Sequence, residues 1–388
     1  MKIALFLPNL GGGGVERVFV HLARGLAERG ETVELVLASR QGVYLAEVPA
    51  GVTVRDLGVP RVLRAVLPLA RYLGETRPDV LLTAQDHANV VAVAARALAR
   101  TRWGAATKLV LGHHSSAIGK TAAEMPRNER VVMALVPHLF GRADRIVAVA
   151  GGVADRLAEY ARLERSSLDV VYNPIITPEL FQKAAEPTDH PWLQPGQPPV
   201  VLGCGRLVPD KDYPTLLRAF ALVRRELPAR LLLLGEGPER PRLLALATEL
   251  GLDGAVELPG FFANPYGMLK QAALFVQSSV REALPTVLVE SLALGTPVVA
   301  TRTASGTAEI LQNAQFGPLG AMVPCGDPQA LAQAILQALR QPPPPAPVEA
   351  LEPFQLDTAI SNYLTLLRDT CAEPRPKLRR AGQRRRSI

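Results

Sequence analysis

Residues 199–235, PVVLGCGRLVPDKDYPTLLRAFALVRRELPARLLLLG, decide the fold. An apolar run of strand length, PVVLGCG, opens into a glycine-containing loop. TLLRAFALVRREL follows with its apolar residues at helical spacing, and ARLLLLG is a second short apolar run. A helix between two strands returns the chain to the edge it left, so the strands run parallel. Downstream the alternation continues through ERPRLLALATELG, AVELPG, PYGMLKQA, LFVQSS, TVLVESLALG and PVVAT. Upstream it is already present, from KIALFLP and the helical VERVFVHLARGLAERG through TVELVLAS, VTVRDL, LRAVLPLARYLGETR, DVLLTA, NVVAVAARALAR, TKLVLG, RIVAVA and VADRLAEYARL to LDVVYNP. Strands and helices alternating at this spacing make mostly parallel, doubly wound sheets.

The alternation fails once, in ITPELFQKAAEPTDHPWLQPGQPP, which reads as a proline-rich linker. With 388 residues and 48% hydrophobic content, the chain exceeds what one core supports. The expected organisation is an α/β domain over 1–174, the linker over 175–199, a second α/β domain over 200–353, a final helix over 354–370 and a tail over 371–388. Two doubly wound sheets facing across a cleft would bind ligands beyond the carboxyl ends of their strands.

The formal charge of +7 is a property of the tail. Arg375, Lys377, Arg379, Arg380, Arg384, Arg385 and Arg386 carry seven positive charges with no acid among them, so the rest of the chain is formally neutral. A solvated tail and one held at an anionic membrane surface are the competing readings. Nucleic acid is not expected as a partner, because aromatic residues make up 5% and no recognised binding motif accompanies the charge. Cys204, Cys325 and Cys371 are widely spaced and read as reduced thiols. Without an apolar run of about 18 residues or a cleavable leader pattern, the protein is expected in the cytoplasm.

Candidate binding groups cluster in the second half. Arg206 and Lys211 follow a strand and precede a helix, in a loop where two cations suit a diphosphate. Read singly, they are more simply surface charges. Further strand-end turns follow, with Gly235 and Glu236 after LLLL and Gly260 after VELP. In REALPTVLVE, Glu282 precedes a helix that Pro285 starts, and Glu290 lies within it. Backbone N–H groups near Pro285, Thr286, Val287 and Leu288 suit an anion, and two carboxylates beside them suit sugar hydroxyls.

The ordered set GRLVPDKD, LLLLGEGPER, FVQSSVREALPTVLVESLALGTPVVAT, SGTAEIL and VPCGDPQALAQAI resembles the family-4 retaining glycosyltransferases. PNLGGGGVERVFVHLARGLAERG and VVYNP add to the resemblance, which covers nearly the whole chain. It implies the two-domain GT-B fold and a nucleotide-sugar donor, with a UDP-linked hexose or N-acetylhexosamine the expectation. By position, Arg206 and Lys211 match the pair that binds the donor diphosphate and stabilises it as leaving group. Glu282 matches the acid close to the donor sugar, and Glu290 the acid that holds ribose hydroxyls. The backbone from Ala283 through Leu284 and Pro285 to Thr286 would lie against sugar and phosphate. Gly13 and Gly14 resemble the first-domain loop that closes over the diphosphate. His114 is the choice for the histidine lining the reacting carbon, with His113 the alternative.

Arg281 and Ala283 stand where the family often has an aromatic residue and glycine, Glu309 lacks the preceding Pro-Arg, and Ala150 replaces a common serine. The chain is read as having no Asp-x-Asp element, so transfer without a metal or other cofactor is expected. A nicotinamide-dependent dehydrogenase does not fit, because neither glycine frame completes the dinucleotide pattern: Glu16 and Arg17 occupy the needed places. A sugar-nucleotide epimerase, a glycogen-type synthase and a non-catalytic nucleotide-binding relative share the architecture. For the acceptor, Arg127, Arg130, Arg142 and Arg145 around VVMALVPHLF suit a membrane-facing surface as well as a core helix with solvated ends. With the basic tail, this leads to an expected peripheral attachment at the inner leaflet and a lipid-linked or lipopolysaccharide-type glycan acceptor.

Overall fold

The computed structural model describes residues 1–114, 118–121 and 123–372. They divide into two compact units, Met1–Pro174 joined by the segment from Leu356, and Ile175–Gln355. The first unit runs β1 (Lys2–Leu7), α1 (Gly14–Glu28), β2 (Thr32–Leu37), β3 (Thr53–Asp56), α2 (Val66–Thr76), β4 (Val80–Thr83), α3 (Asp86–Trp103), β5 (Lys108–His113), α4 (Arg127–Leu139), β6 (Arg145–Ala148), α5 (Gly151–Ala161) and β7 (Asp169–Val170). Its seven strands are parallel in the order β3-β2-β1-β4-β5-β6-β7. Ile3 to Leu7 of β1 are fully buried, as a parallel strand covered on both faces requires.

The second unit begins with α6 (Pro178–Ala184) and continues with β8 (Val200–Cys204), α7 (Tyr213–Arg224), β9 (Arg230–Leu234), α8 (Arg240–Glu249), β10 (Val256–Gly260), α9 (Tyr266–Gln271), β11 (Leu274–Gln277), α10 (Thr286–Ala293) and β12 (Val298–Thr301). Then come α11 (Thr307–Leu311), the short antiparallel pair β13 (Gln312–Asn313) and β14 (Gly317–Pro318), β15 (Ala321–Val323) and α12 (Pro328–Arg340). The six strands of its main sheet are parallel in the order β10-β9-β8-β11-β12-β15. In each sheet the order reverses once, between β1 and β4 and between β8 and β11. These two points are where loops diverge and leave a crevice at the carboxyl ends of the strands.

The stretch expected as a linker is instead folded into the second unit. Thr177 caps α6 by accepting from the Leu180 N–H at 3.3 Å, and Pro178 occupies the first turn, where its missing N–H leaves no bond unmade. The helix packs on α9, and Asn264 donates to the Lys183 carbonyl at 2.9 Å and the Glu186 carboxylate at 2.7 Å. Prolines here start helical turns rather than break them.

The chain's last described helix, α13 (Leu356–Ala372), belongs to the first unit. Its Ile360, Tyr363, Leu364 and Leu367 join Phe19, Leu22 and Leu26 of α1 in one core. Gly25 makes the approach close: a Cβ there would stand 2.5 Å from Ile360 Cγ1. At the rim, Arg29 pairs with Asp357 at 3.1 Å and Arg368 with Glu31 at 2.7 Å. The basic run from Arg375 lies outside the described residues.

Candidate active site

In the second unit, the loops after β8 and β11 meet where the strand order reverses. The first carries Arg206 and Lys211; the second carries Glu282 and leads into α10. Lys211 Nζ lies 2.6 Å from Glu282 Oε1, and Ser279 Oγ donates to the same oxygen at 2.6 Å. One residue earlier on each loop, Arg281 Nη1 lies 3.0 Å from Asp210 Oδ1. Backbone ties hold the two loops together: the Val280 N–H donates to the Asp210 carbonyl at 2.9 Å, and Ser278 Oγ donates to the Lys211 carbonyl at 2.8 Å. Ser305 donates to the Glu282 carbonyl. Lys211 and Glu282 keep 25% and 13% of their side chains exposed, enough to meet a ligand yet screened well below bulk water. Arg206 is exposed.

Pro285 forms the N-cap of α10 and supplies no side-chain hydrogen bond, so no side chain caps the first N–H groups of that helix. Leu284 and Pro285 are buried, which leaves the backbone of this stretch to meet a ligand, while Thr286 and Val287 are half-buried. Glu290 is buried inside α10, and the Tyr266 hydroxyl donates to its Oε1 at 3.2 Å. It is a held carboxylate, not the solvated surface charge that its spacing alone allowed.

The turn after β9 is fastened to the loop after β8. Gly205 N–H donates to the Leu234 carbonyl and Leu207 N–H to the Glu236 carbonyl, both at 2.9 Å, while Gly235 N–H reaches the Gly260 carbonyl at 2.7 Å. Gly235 has φ +136°, and a Cβ on it would fall 2.0 Å from the Gly205 carbonyl oxygen, so only glycine allows the approach. The Glu236 side chain is more than half exposed and pairs with Arg240 at 3.1 Å.

Asp210 and Asp212 do stand at Asp-x-Asp spacing, which corrects the reading that the chain has no such element. Their structural partners explain them: Asp210 faces Arg281, and Asp212 N-caps α7 by accepting from the Thr215 N–H at 3.4 Å. Among the described residues, no group of three or more His, Cys, Asp or Glu is placed to hold a metal ion.

The first unit has its own strand-end cluster at the β1/β4 reversal. Gly13 and Gly14 are exposed at the start of α1, Gly13 as its N-cap. Gln85, after β4, donates to Glu16 of α1 at 3.0 Å. His113 ends β5 fully buried, with Nδ1 2.8 Å from Asp86 Oδ1. His114 is half-buried, its ring edge-on to Phe19 at 6.1 Å, and its Nδ1 is buried without a hydrogen-bond partner. Burial first, and His113 beside it, pull the His114 pKa down to about 3, so the ring is neutral across the physiological range. Of the two histidines, only His114 keeps access to solvent.

Comparison with known proteins settles what kind of chain carries this arrangement. The family model for Glycosyltransferase Family 4 matches residues 12–178, and that for Glycosyl transferases group 1 matches residues 186–350. The N-acetylgalactosamine-N,N'-diacetylbacillosaminyl-diphospho-undecaprenol 4-alpha-N-acetylgalactosaminyltransferase of Campylobacter jejuni is 30% identical over 333 residues, 82% of this chain and 85% of that protein. The chain belongs to the family-4 glycosyltransferases. The lipopolysaccharide core biosynthesis glycosyltransferase LpsE of Rhizobium meliloti is likewise 30% identical, over 84% of this chain and 85% of that protein. Among solved structures, HepE of Anabaena in complex with UDP and glucose aligns with a TM-score of 0.72 at 20% identity, covering 95% of this chain and all of that one. The glycosyltransferase thus has the two Rossmann-like sheets of the GT-B fold.

Every candidate donor residue from Arg206 to Glu290 falls within the second matched segment of the glycosyltransferase, and Gly13, Gly14 and His114 within the first. The structure brings Lys211 and Glu282 into contact. It adds groups the sequence reading missed: Ser279 on Glu282, Tyr266 on Glu290, Asp86 on His113, and the Asp210 pair with Arg281. The last carried a signal in the sequence, since an acid precedes Lys211 and a base precedes Glu282.

Proposed function

We propose that this glycosyltransferase moves a hexose or N-acetylhexosamine from a UDP-sugar to a lipid-linked or lipopolysaccharide-type glycan, with retention of anomeric configuration and without a metal. The Lys211–Glu282 contact carries the reading, because it sets a cation and an acid side by side beyond the β8 and β11 strand ends. Cleaving the bond from the anomeric carbon to the diphosphate places the electron pair on a phosphate oxygen. Arg206, Lys211 and the uncapped N–H groups of α10 are suited to stabilise that charge electrostatically. Glu282 is suited to the donor sugar's hydroxyls and Glu290, held by Tyr266, to those of the ribose. The acceptor hydroxyl enters on the face the diphosphate leaves, through an oxocarbenium-like state, so Glu282 has no covalent role.

The names of the Campylobacter and Rhizobium relatives support an acceptor on a diphospho-polyprenol or a lipopolysaccharide core, and HepE's complex supports UDP. Among the described residues no helix is long and apolar enough to cross a membrane. Yet α4 turns Val131 (61% exposed) and Leu135 (37%) outward beside exposed Arg127 and Arg130, an outer stripe suited to the interface of an anionic bilayer.

Donor choice is tested by thermal shift and donor hydrolysis against UDP-, GDP- and ADP-sugars, with wild type and Glu290→Ala side by side. One UDP-sugar should raise the melting temperature and be hydrolysed slowly, with both effects lost in the variant; silence from all nucleotide sugars would remove the transferase assignment of this site. Attachment is tested by flotation with anionic liposomes, comparing the full chain, a chain ending at Ala372, and Val131→Asp/Leu135→Asp. The full chain should float and each change should reduce it, whereas a full chain that stays at the bottom rejects the membrane role.

A further inference from the structure

Four consecutive-pair charges occupy the junction of the two strand-end loops. Asp210 faces Arg281 at 3.0 Å, and Lys211 faces Glu282 at 2.6 Å. The order of signs is acid then base on the first loop, base then acid on the second. A slip of one residue would set Asp210 against Glu282 or Lys211 against Arg281, placing like charges together in a partly screened environment. The ladder therefore has one electrostatically permitted register. Both rungs are partly buried, with 25% and 22% of the Arg281 and Asp210 side chains exposed, so bulk water screens them less than a surface pair. The Val280 N–H donates to the Asp210 carbonyl at 2.9 Å, a backbone bond beside the first rung.

We infer that Asp210 and Arg281 are positioning residues: their ion pair sets the register of the two loops and thereby aims the Lys211 ammonium and the Glu282 carboxylate. This inference rests on the proposed donor site for its catalytic consequence, but the positioning itself is a property of the loops. A lysine on a four-carbon stem has many rotamers, and an acid on a neighbouring loop holds it only while that loop keeps its offset. Removing Arg281 leaves Asp210 without this cation and takes away the side-chain tie between the loops, leaving the hydrogen bonds from Val280 and Ser278 to hold them. The Lys211–Glu282 contact then loosens although neither residue has been changed. Such a loss is felt most where charge develops on the leaving group, because misplacement by about 1 Å can lower the rate of the chemical step about 100-fold.

The experiment uses the full chain as wild type, Arg281→Ala, Asp210→Ala, Asp210→Glu and Arg281→Lys, the last two keeping the order of signs. Two readouts are taken. The first is the acetylation rate of Lys211, followed by mass spectrometry under trace labelling, which needs no substrate. Lys211 should react at least fivefold faster in both alanine variants and stay within about twofold of wild type in Asp210→Glu and in Arg281→Lys. The second is donor hydrolysis with the UDP-sugar that wild type prefers: kcat should fall about tenfold in the alanine variants with KM within about threefold, and Asp210→Glu and Arg281→Lys should keep most of it. Unchanged Lys211 labelling in both alanine variants, with melting temperatures like wild type, overturns the inference. If the alanine variants fail to fold, Asp210→Glu and Arg281→Lys decide: wild-type labelling in both supports the pair, and labelling as fast as in denatured protein in either rejects it. If wild type hydrolyses no nucleotide sugar, the donor-site reading fails while the labelling result still decides whether the pair positions Lys211.

Discussion

His114 is half-buried at the end of β5, and its Nδ1 has no hydrogen-bond partner. Protonating such a ring places a charge where water cannot reach it fully and where His113 stands beside it, so its pKa falls from 6.5 to about 3. His21 on α1, with Nδ1 3.0 Å from the Pro174 carbonyl, is lowered to about 4 by its burial. For both, the unfolded chain takes up a proton near pH 6.5 that the folded chain refuses until about pH 4 or below. Their contribution to stability is therefore intact above about pH 6.5 and falls with acidification through the window between the two values, by up to about 1.4 kcal/mol per pH unit for each proton. Urea unfolding at pH 7, 6 and 5 checks this. His114→Gln should flatten the loss of stability toward acid relative to wild type, and parallel profiles for the two proteins would contradict a neutral His114. A neutral ring also means that at pH 7 His114 brings no positive charge to a ligand.

At the scale of elements, the strand-end turns do more to define the site than the helices that follow them. The turn after β9 lies against the loop after β8 because Gly235 adopts φ +136° and presents no Cβ to the Gly205 carbonyl. Gly235→Ala should cost roughly 1–3 kcal/mol in backbone strain and displacement. It should also lower donor affinity, because Gly205 immediately precedes Arg206. Thermal melts with Gly141→Ala as control test this: an added Cβ at Gly141 would meet only Leu163, at 3.8 Å, so that variant should melt like wild type while Gly235→Ala melts several degrees lower. How much of this was legible in the sequence depends on the element. Parallel strands such as β1 and β9 are nearly continuous apolar runs, and the helices between them carry a clear period, so the alternation that sets the fold was on the surface of the text. β13 and β14 have two residues each, too few to show any period, and they went unread. α6 went unread for a different reason: proline density marked a break, whereas Pro178 behind the Thr177 cap is a start signal. In the site, the candidate side chains were named from the order of motifs. The side chains that hold them, Ser279, Tyr266 and Asp86, are brought in from other elements or pointed by the fold, and no local pattern encodes that.

At the scale of the whole molecule, the chain closes its first unit last. Residues 1–174 provide the seven-stranded sheet, but Ile360, Tyr363, Leu364 and Leu367 of α13 complete the core around Phe19, Leu22 and Leu26. The intervening second unit must therefore be synthesised before the first can bury that face. A chain ended at Gln355 would expose these residues of α1 together, and at about 25 cal/mol per Å² of apolar surface the loss is several kcal/mol for a helix that buries four large side chains. That equals much of the stability a domain typically has. Such a truncation should leave the second unit cooperative while the first loses its sharp transition and binds a hydrophobic dye. Calorimetry and dye fluorescence on the truncated chain decide the matter, with Tyr363→Ala in the full chain as a milder probe of the same contact. Tyr363 is 1% exposed, so removing its ring should destabilise the first unit by about 3–5 kcal/mol. A truncated chain whose first unit still melts sharply at the wild-type temperature would show that α13 covers that core without being needed to form it.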